Sequence, residues 1–251
     1  MSLPPSWLLA AVLAPIIGSF LSVLATRLPE GRGIVLGRSA CPRCGHALGA
    51  AELVPLLSYL WQRGACRHCG GRIDALYPLL EAGALGVSLW AAALGDGGGD
   101  LWASCALGWL LLALAAADWR SYLLPDPLVL ALALAGLGAS ALLMPAALLD
   151  HVIGAAAGFL AFWAAAALYR RWRGREGLGL GDAKLLGALG AWVSWDGLPS
   201  TVLIAAVAAL AAALLRGLWR GRLSAEDRLP FGPFLALGGW ITWLYGPIAF
   251  G

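Results

Sequence analysis

Carboxylates in or beside long apolar stretches are costly and usually functional. Four stand out in this chain: Glu81, Asp118, Asp126 and Asp182. Asp118 closes one apolar run in AAADWRSYLLPDP, and Asp182 opens another in GLGLGDAKLL. Gly177, Gly179 and Gly181 precede Asp182 at alternate positions, and a glycine-rich approach lets backbone or water come close to a carboxylate. Two carboxylates at one depth could share a proton, because like charges a few ångströms apart do not both ionise. Such a pair supplies an ionised base to activate water and a neutral acid to polarise a peptide carbonyl. The residues alone leave a second reading open, in which the acids cap helices. Asp182 at a helix N-terminus is favourable on electrostatic grounds alone.

Four of the five cysteines carry a different chemistry. They form CPRC (Cys41, Cys44) and CRHC (Cys66, Cys69), with 21 residues between the pairs. Two CxxC knuckles at this spacing read as a four-thiolate zinc site. Gly45 and Gly70 follow the knuckles directly, where the turn needs unusual backbone angles. Four protein ligands leave no open position, so the metal is expected to be structural. A redox pair or plain thiols remain the other readings. His46 and His68 are read as exposed loop histidines, and Cys105 as a small apolar residue within a span.

The elements that position these groups follow from composition. Of 251 residues, 61% are hydrophobic before 34 Gly are counted, and 12% are charged. Soluble domains carry about 25% charge, so the chain reads as a polytopic membrane protein. The net charge of +3 is too small to indicate nucleic-acid binding. Apolar runs near the ~20 residues that a membrane helix requires fall at 6–26, 76–95, 101–117, 127–144, 146–169, 183–196, 199–215 and 231–250. Asp196-Gly197-Leu198-Pro199 reads as the turn between the sixth and seventh. All 17 Lys and Arg fall in four places: seven Arg between the first two runs, Arg120, the group Arg170, Arg171, Arg173, Arg175 and Lys184, and the group Arg216, Arg220, Arg222 and Arg228. The remaining connections hold Asp96, Asp100, Asp150 and Asp196, read as solvated outer-loop charges. Eight crossings put every basic loop on one side, which the positive-inside rule makes the cytoplasm, with both termini outside.

The expected fold is therefore all-α and polytopic, with about eight transmembrane helices. A small zinc-binding cytoplasmic loop domain lies between helices 1 and 2. The domains are a first helix over 1–27, the loop domain over 28–75 and a transmembrane core of about seven helices over 76–251. Asp118 and Asp182 then both sit at the cytoplasmic edge.

In order along the chain come GSFLSVLATRLP at 18–29, the two CxxC pairs, VPLLSYLWQRGACRHCGGRI at 54–73, YPLLE at 77–81, DWRSYLLPD at 118–126, EGLGLGDAKLLGALGAW at 176–192 and PFGPFLALGG at 230–239. This ordered set resembles the bacterial type IV prepilin peptidase family, the prepilin leader peptidase/N-methyltransferases, intramembrane aspartic proteases with a GxGD motif. The resemblance implies that Asp118 and Asp182 are the catalytic pair. Gly179, Gly181, Lys184, Pro125 and Asp126 form the motif around them, with Asp126 read as a helix-start residue. It implies cleavage of the leader of type IV prepilins or pseudopilins at the cytoplasmic face of the bacterial inner membrane. N-methylation of the new terminus with S-adenosylmethionine would follow. The family usually has Asn where this chain has Ser22, and Arg where it has Leu76, while Glu81 is kept and is a possible methylation residue. A different class, a non-enzymatic transporter or assembly scaffold with a zinc-bound loop, predicts acids near mid-membrane instead.

Overall fold

The computed structural model describes residues 5–34, 39–95, 97–174, 179–220 and 229–248. Gly177, Asp96, Arg38, Arg175, Arg222 and Arg228, all used in the sequence reading, lie outside them. The described residues are helical, with no strand; two isolated bridges, Ala40 with Ala47 and Ala65 with Arg72, are the only β pairings among them. Eight α-helices follow one another: α1 Pro5–Arg27, α2 Leu57–Trp61, α3 Leu76–Leu94, α4 Gly99–Ser121, α5 Asp126–Leu143, α6 Leu148–Arg173, α7 Leu180–Arg220 and α8 Gly232–Tyr245. Six of these, α1 and α3 to α7, are long and apolar enough to cross a membrane. Their large apolar side chains face outward freely, as at Val12, Phe20, Leu79, Leu134, Leu160 and Val207. In water such surface would be unstable; in lipid it is the expected exterior.

Residues 1–116 and 117–251 form two compact units. In the first, α1 and α3 approach closely at Gly18, where a Cβ would meet the Glu81 Cα at 2.6 Å. Helices α3 and α4 run antiparallel: Trp109 Nε1 donates to the Ala84 carbonyl at 3.2 Å, and Cys105 Sγ lies 3.6 Å from Ser88 Oγ. Between α1 and α3 lie the two cysteine knuckles, a single 3₁₀ turn at Ala50–Glu52 and the short α2.

In the second unit the expected sixth and seventh spans both fall inside α7. Its 41 residues are two helices, 180–193 (α7a) and 195–220 (α7b), meeting at Ser194, whose φ of 58° and ψ of −175° are not helical. Helix α8 fixes their relation. Along α8, Gly238 packs on Thr201 and Ala205, and Thr242 on Gly197, so α8 runs antiparallel to α7b. On its other side Gly239 packs on Leu189 and the Trp243 ring meets Trp192 edge-on at 5.2 Å, so α8 runs parallel to α7a. The halves of α7 therefore run in opposite directions as a hairpin. The turn comes earlier than the sequence reading placed it. Residues 196–199 are helical, and Pro199 stands near the start of α7b, where the hydrogen-bond ladder is only beginning. Ser194 carries the reversal, and its hydroxyl donates to Asp196 Oδ1. The expected eighth span corresponds to α8, which at 14 residues is as short as α7a.

Glycines let α6 and α7a touch backbone to backbone. A Cβ at Gly158 would meet the Leu186 carbonyl at 2.6 Å, one at Gly154 would meet Ser194 C at 2.6 Å, and one at Gly190 would collide with the Gly154 carbonyl. Helix α5 lies on the other flank, parallel to α7a: Trp192 Nε1 donates to the Leu132 carbonyl at 2.8 Å, and the Trp192 ring fills the space beside Gly136. Within this unit α5, α7a and α8 all start at the same end. Arg170, Arg171 and Arg173 in the last turn of α6, Lys184, and Arg220 at the end of α7b gather at that end as well. Asp150 and Asp196 stand at the opposite end, on the first turns of α6 and α7b rather than in loops, where helix dipoles favour them. Asp100 likewise occupies the first turn of α4.

Candidate active site and candidate metal centre

Helix α4 stops at Ser121 because Tyr122 turns into the left-handed region (φ 55°), its N–H returning to the Asp118 carbonyl at 2.8 Å. Pro125, extended at φ −63° and ψ 123°, cannot continue a helix but can start one. Its carbonyl accepts from Leu128 and Val129, and α5 begins at Asp126. Asp118 is left on the final turn of α4, 6% exposed, with Oδ2 accepting the Gly232 N–H at 2.9 Å. Gly232 is the first residue of α8, so this carboxylate caps a helix other than its own. Gly232 leaves no room for anything larger: a Cβ there would lie 2.6 Å from Asp118 Oδ2.

Asp182 occupies the first turn of α7, where its own N–H donates to the Gly179 carbonyl at 3.2 Å and its carboxylate lies beside Gly179. The capping reading of Asp182 is thus part of the geometry. Gly181 lets this turn sit against the α4–α5 connection, where a Cβ would reach the Leu124 side chain at 3.3 Å. Each acid stands at the N-terminus of one of two parallel helices, α7a and α8, at the same end of the unit. They are close enough for the charge of one to act on the other. The structure therefore brings Asp118, Asp182, Gly179, Gly181 and Pro125 into one neighbourhood. Lys184 pairs with Asp126: Nζ lies 2.7 Å from Oδ1, with the side chains 37% and 72% exposed. The residue that sequence reasoning missed is Gly232. Its only signal is the Pro-Gly-Pro-like start, PFGPF, of a helix.

The second cluster is in the other unit. The four sulfurs of Cys41, Cys44, Cys66 and Cys69 lie within 4.8 Å of one another, and Cys41 Sγ is 3.9 Å from Cys69 Sγ. A tetrahedral zinc with Zn–S near 2.3 Å sets sulfurs about 3.8 Å apart, so the donor set fits. Each knuckle is built alike. Gly45 N–H returns to the Cys41 carbonyl and Gly70 N–H to the Cys66 carbonyl, both at 2.9 Å, through glycines at φ 71° and 67°. The amides of Cys44 and then Arg43 point at Cys41 Sγ and hold its thiol down to about 6, which favours the thiolate that a metal needs. Such a site, filled, supplies a structural crosslink between the knuckles.

Glu81 belongs to neither cluster. It is 7% exposed where α1 meets α3, and its Oε2 accepts the Leu56 N–H at 2.7 Å. Ser22, on α1, is buried with its hydroxyl on the Ser19 carbonyl, and Gly18 lets α1 lie against the Glu81 backbone. Glu81 thus ties the loop domain to the first two long helices. Leu56 adopts φ 61° at that junction, a conformation that a leucine holds only when its surroundings require it.

With six helices able to cross a bilayer among the described residues, and no strand among them, the chain is an integral membrane protein. Residues 12–94 match the Bacterial Peptidase A24 N-terminal domain, and residues 105–214 the Type IV leader peptidase family. A protein of Burkholderia pseudomallei (strain 1026b) named prepilin leader peptidase/N-methyltransferase is 45% identical over 94% of this chain and 84% of its own length. Proteins with the same name from Aeromonas salmonicida (strain A449) and Pseudomonas aeruginosa are 39% and 38% identical, over 92% and 94% of this chain and 87% and 89% of theirs. The chain therefore belongs to the type IV leader peptidase family and is an enzyme, which sets the non-enzymatic reading aside. No solved structure matches it.

Proposed function

We propose that the protein is a membrane aspartic endopeptidase that removes the leader from type IV prepilins or pseudopilins. Asp118 and Asp182 act as its catalytic pair. The observation that carries this reading is the position of the two acids, at the first turns of parallel helices at one end of one unit and within reach of each other's charge. One carboxylate, ionised, takes a proton from the attacking water. The other donates its proton to the scissile carbonyl; as the C–N bond breaks, the amine leaves with a proton from the pair and a hydroxyl of the gem-diol returns one, so that one proton is again shared at the end of the cycle. The Gly232 amide holds the Asp118 carboxylate in place without adding charge. Pro125 and Asp126 set where α5 starts, and Lys184 braces that start against α7a.

The hairpin in α7, together with α8, supports eight crossings rather than six. With the basic residues inside, both termini are outside, and the acids lie at the cytoplasmic face of the bacterial inner membrane. The chain then divides into a first helix (1–27), a zinc-bound loop domain (28–75) and a seven-helix core (76–251). The substrate's apolar helix enters from the bilayer and offers its leader junction at the rim. Methylation of the new terminus from S-adenosylmethionine is the second activity carried in the name of the relatives. Here it would draw on the half that holds Glu81, Ser22 and Leu76.

Co-expression with a candidate prepilin, followed by mass analysis of the pilin N-terminus, tests both activities. Loss of the leader is expected, together with one added methyl mass. An intact leader contradicts the peptidase, and a cut but unmodified terminus assigns peptidase activity alone.

A further inference from the structure

Beside the four-sulfur cluster lies a second set of metal-type donors. His46 follows the first knuckle and His68 stands inside the second, and their rings stack with centroids 3.4 Å apart and planes 30° apart. Glu52, at the end of the 3₁₀ turn, completes the group: one ring nitrogen of each histidine and one Glu52 carboxylate oxygen lie within 4.8 Å of one another. The glutamate is held in place, because its Oε2 accepts the Gly49 N–H at 2.9 Å. Its other oxygen, Oε1, is shielded from solvent and accepts no hydrogen bond from the described residues. A shielded carboxylate oxygen without a partner calls for an ion or a donor, and the neighbours within reach are ring nitrogens, which ligate metals as readily as they donate.

We propose that His46, His68 and Glu52 form a second site for a divalent transition metal, of the zinc class, distinct from the four-cysteine centre. Two imidazoles and a carboxylate are a recognised zinc donor set that leaves a fourth position open to water or a further ligand, and since a ring nitrogen binds in the plane of its ring, the two exposed imidazoles turn out of their stack to meet the ion. Both histidines are exposed, so the ion exchanges with solvent more readily than one enclosed by four sulfurs. The two sites draw on the same pair of knuckles. The second ion adds Glu52 to that crosslink, and so anchors the segment that runs on to Leu56 and its bond to Glu81.

The test is metal counting on the full-length protein in detergent, stripped with chelator and titrated with Zn²⁺ or Co²⁺. Two equivalents are expected. With Co²⁺, one gives thiolate charge-transfer absorption, and the other gives only the weak visible bands of nitrogen and oxygen ligation. The double variant His46→Gln/His68→Gln, and separately Glu52→Gln, should each lose the second equivalent while keeping the thiolate signal. That signal also reports that the knuckles remain folded. One equivalent or none in the unsubstituted protein overturns the proposal, as does a second equivalent that survives in the double variant. Prepilin cleavage is not the readout, so failure here is distinct from failure of the peptidase reading.

Discussion

A single methyl group at Gly232 would stand 2.6 Å from Asp118 Oδ2 and 3.1 Å from its Cγ. The carboxylate cannot swing aside without giving up the Gly232 N–H. Gly232→Ala should therefore cut prepilin cleavage by about tenfold to a hundredfold, part of the ~10²–10⁴ that a positioned acid–base group contributes. Insertion and thermal midpoint should stay close to those of the unsubstituted protein; leader removal in membranes checks the activity and an unfolding curve in detergent the midpoint. The Lys184–Asp126 pair makes the opposite case. It is solvent-exposed, and exposed pairs contribute about 0–1 kcal/mol, so Lys184→Ala should shift the thermal midpoint by no more than a few degrees and leave cleavage within a few-fold. At this scale the sequence was informative where chemistry is local. The cysteines declare themselves by spacing, and Asp118 and Asp182 by standing where acids are costly. The Gly232 contact and the Lys184–Asp126 pair join residues 114 and 58 positions apart, and no spacing rule reports such pairings.

Among the elements, α6 and α7a are held together by missing side chains. A Cβ on Gly190 would strike the Gly154 carbonyl, and one on Gly187 would lie 3.0 Å from the Ala155 carbonyl. Gly190→Ala is expected to destabilise the protein by ~1–3 kcal/mol through overpacking, seen as a lower unfolding midpoint in detergent. Gly138→Ala is the control: it meets nothing within 4 Å and sits on an exposed face, so helix propensity alone should make it neutral or slightly stabilising. The apolar runs located the helices well, since their length and composition decide both. The α7 hairpin was legible as two spans but not in its turn. Gly197 and Pro199 carry turn chemistry on paper, yet they are accommodated within α7b, while Ser194 takes the positive φ that nothing in its type foretells.

For the molecule as a whole, the knuckles matter because the described part of the segment between α1 and α3 buries little of its apolar surface, with Leu57, Leu60 and Trp61 left exposed. Its order rests on the four sulfurs, two short hairpin-like turns and the Glu81 bond. Removal of metal with a strong chelator should leave the helical content nearly unchanged. Residues 39–75 should become open to protease, and thiol titration should rise by four. Protection that persists after complete metal removal would show that the loop domain folds without it.

The proposed hydrolysis requires the two acids to act as one unit, and the most direct measurement is the cleavage of a prepilin by Asp118→Asn and Asp182→Asn, each checked for membrane insertion and an unchanged unfolding midpoint. Asparagine keeps the shape of each side chain and, at position 118, an acceptor for the Gly232 amide, but it can neither take up nor release the proton that hydrolysis requires. The expected result is full-length precursor with either variant, at least ~100-fold below the unsubstituted protein. Mature pilin at the normal rate from either one would contradict it.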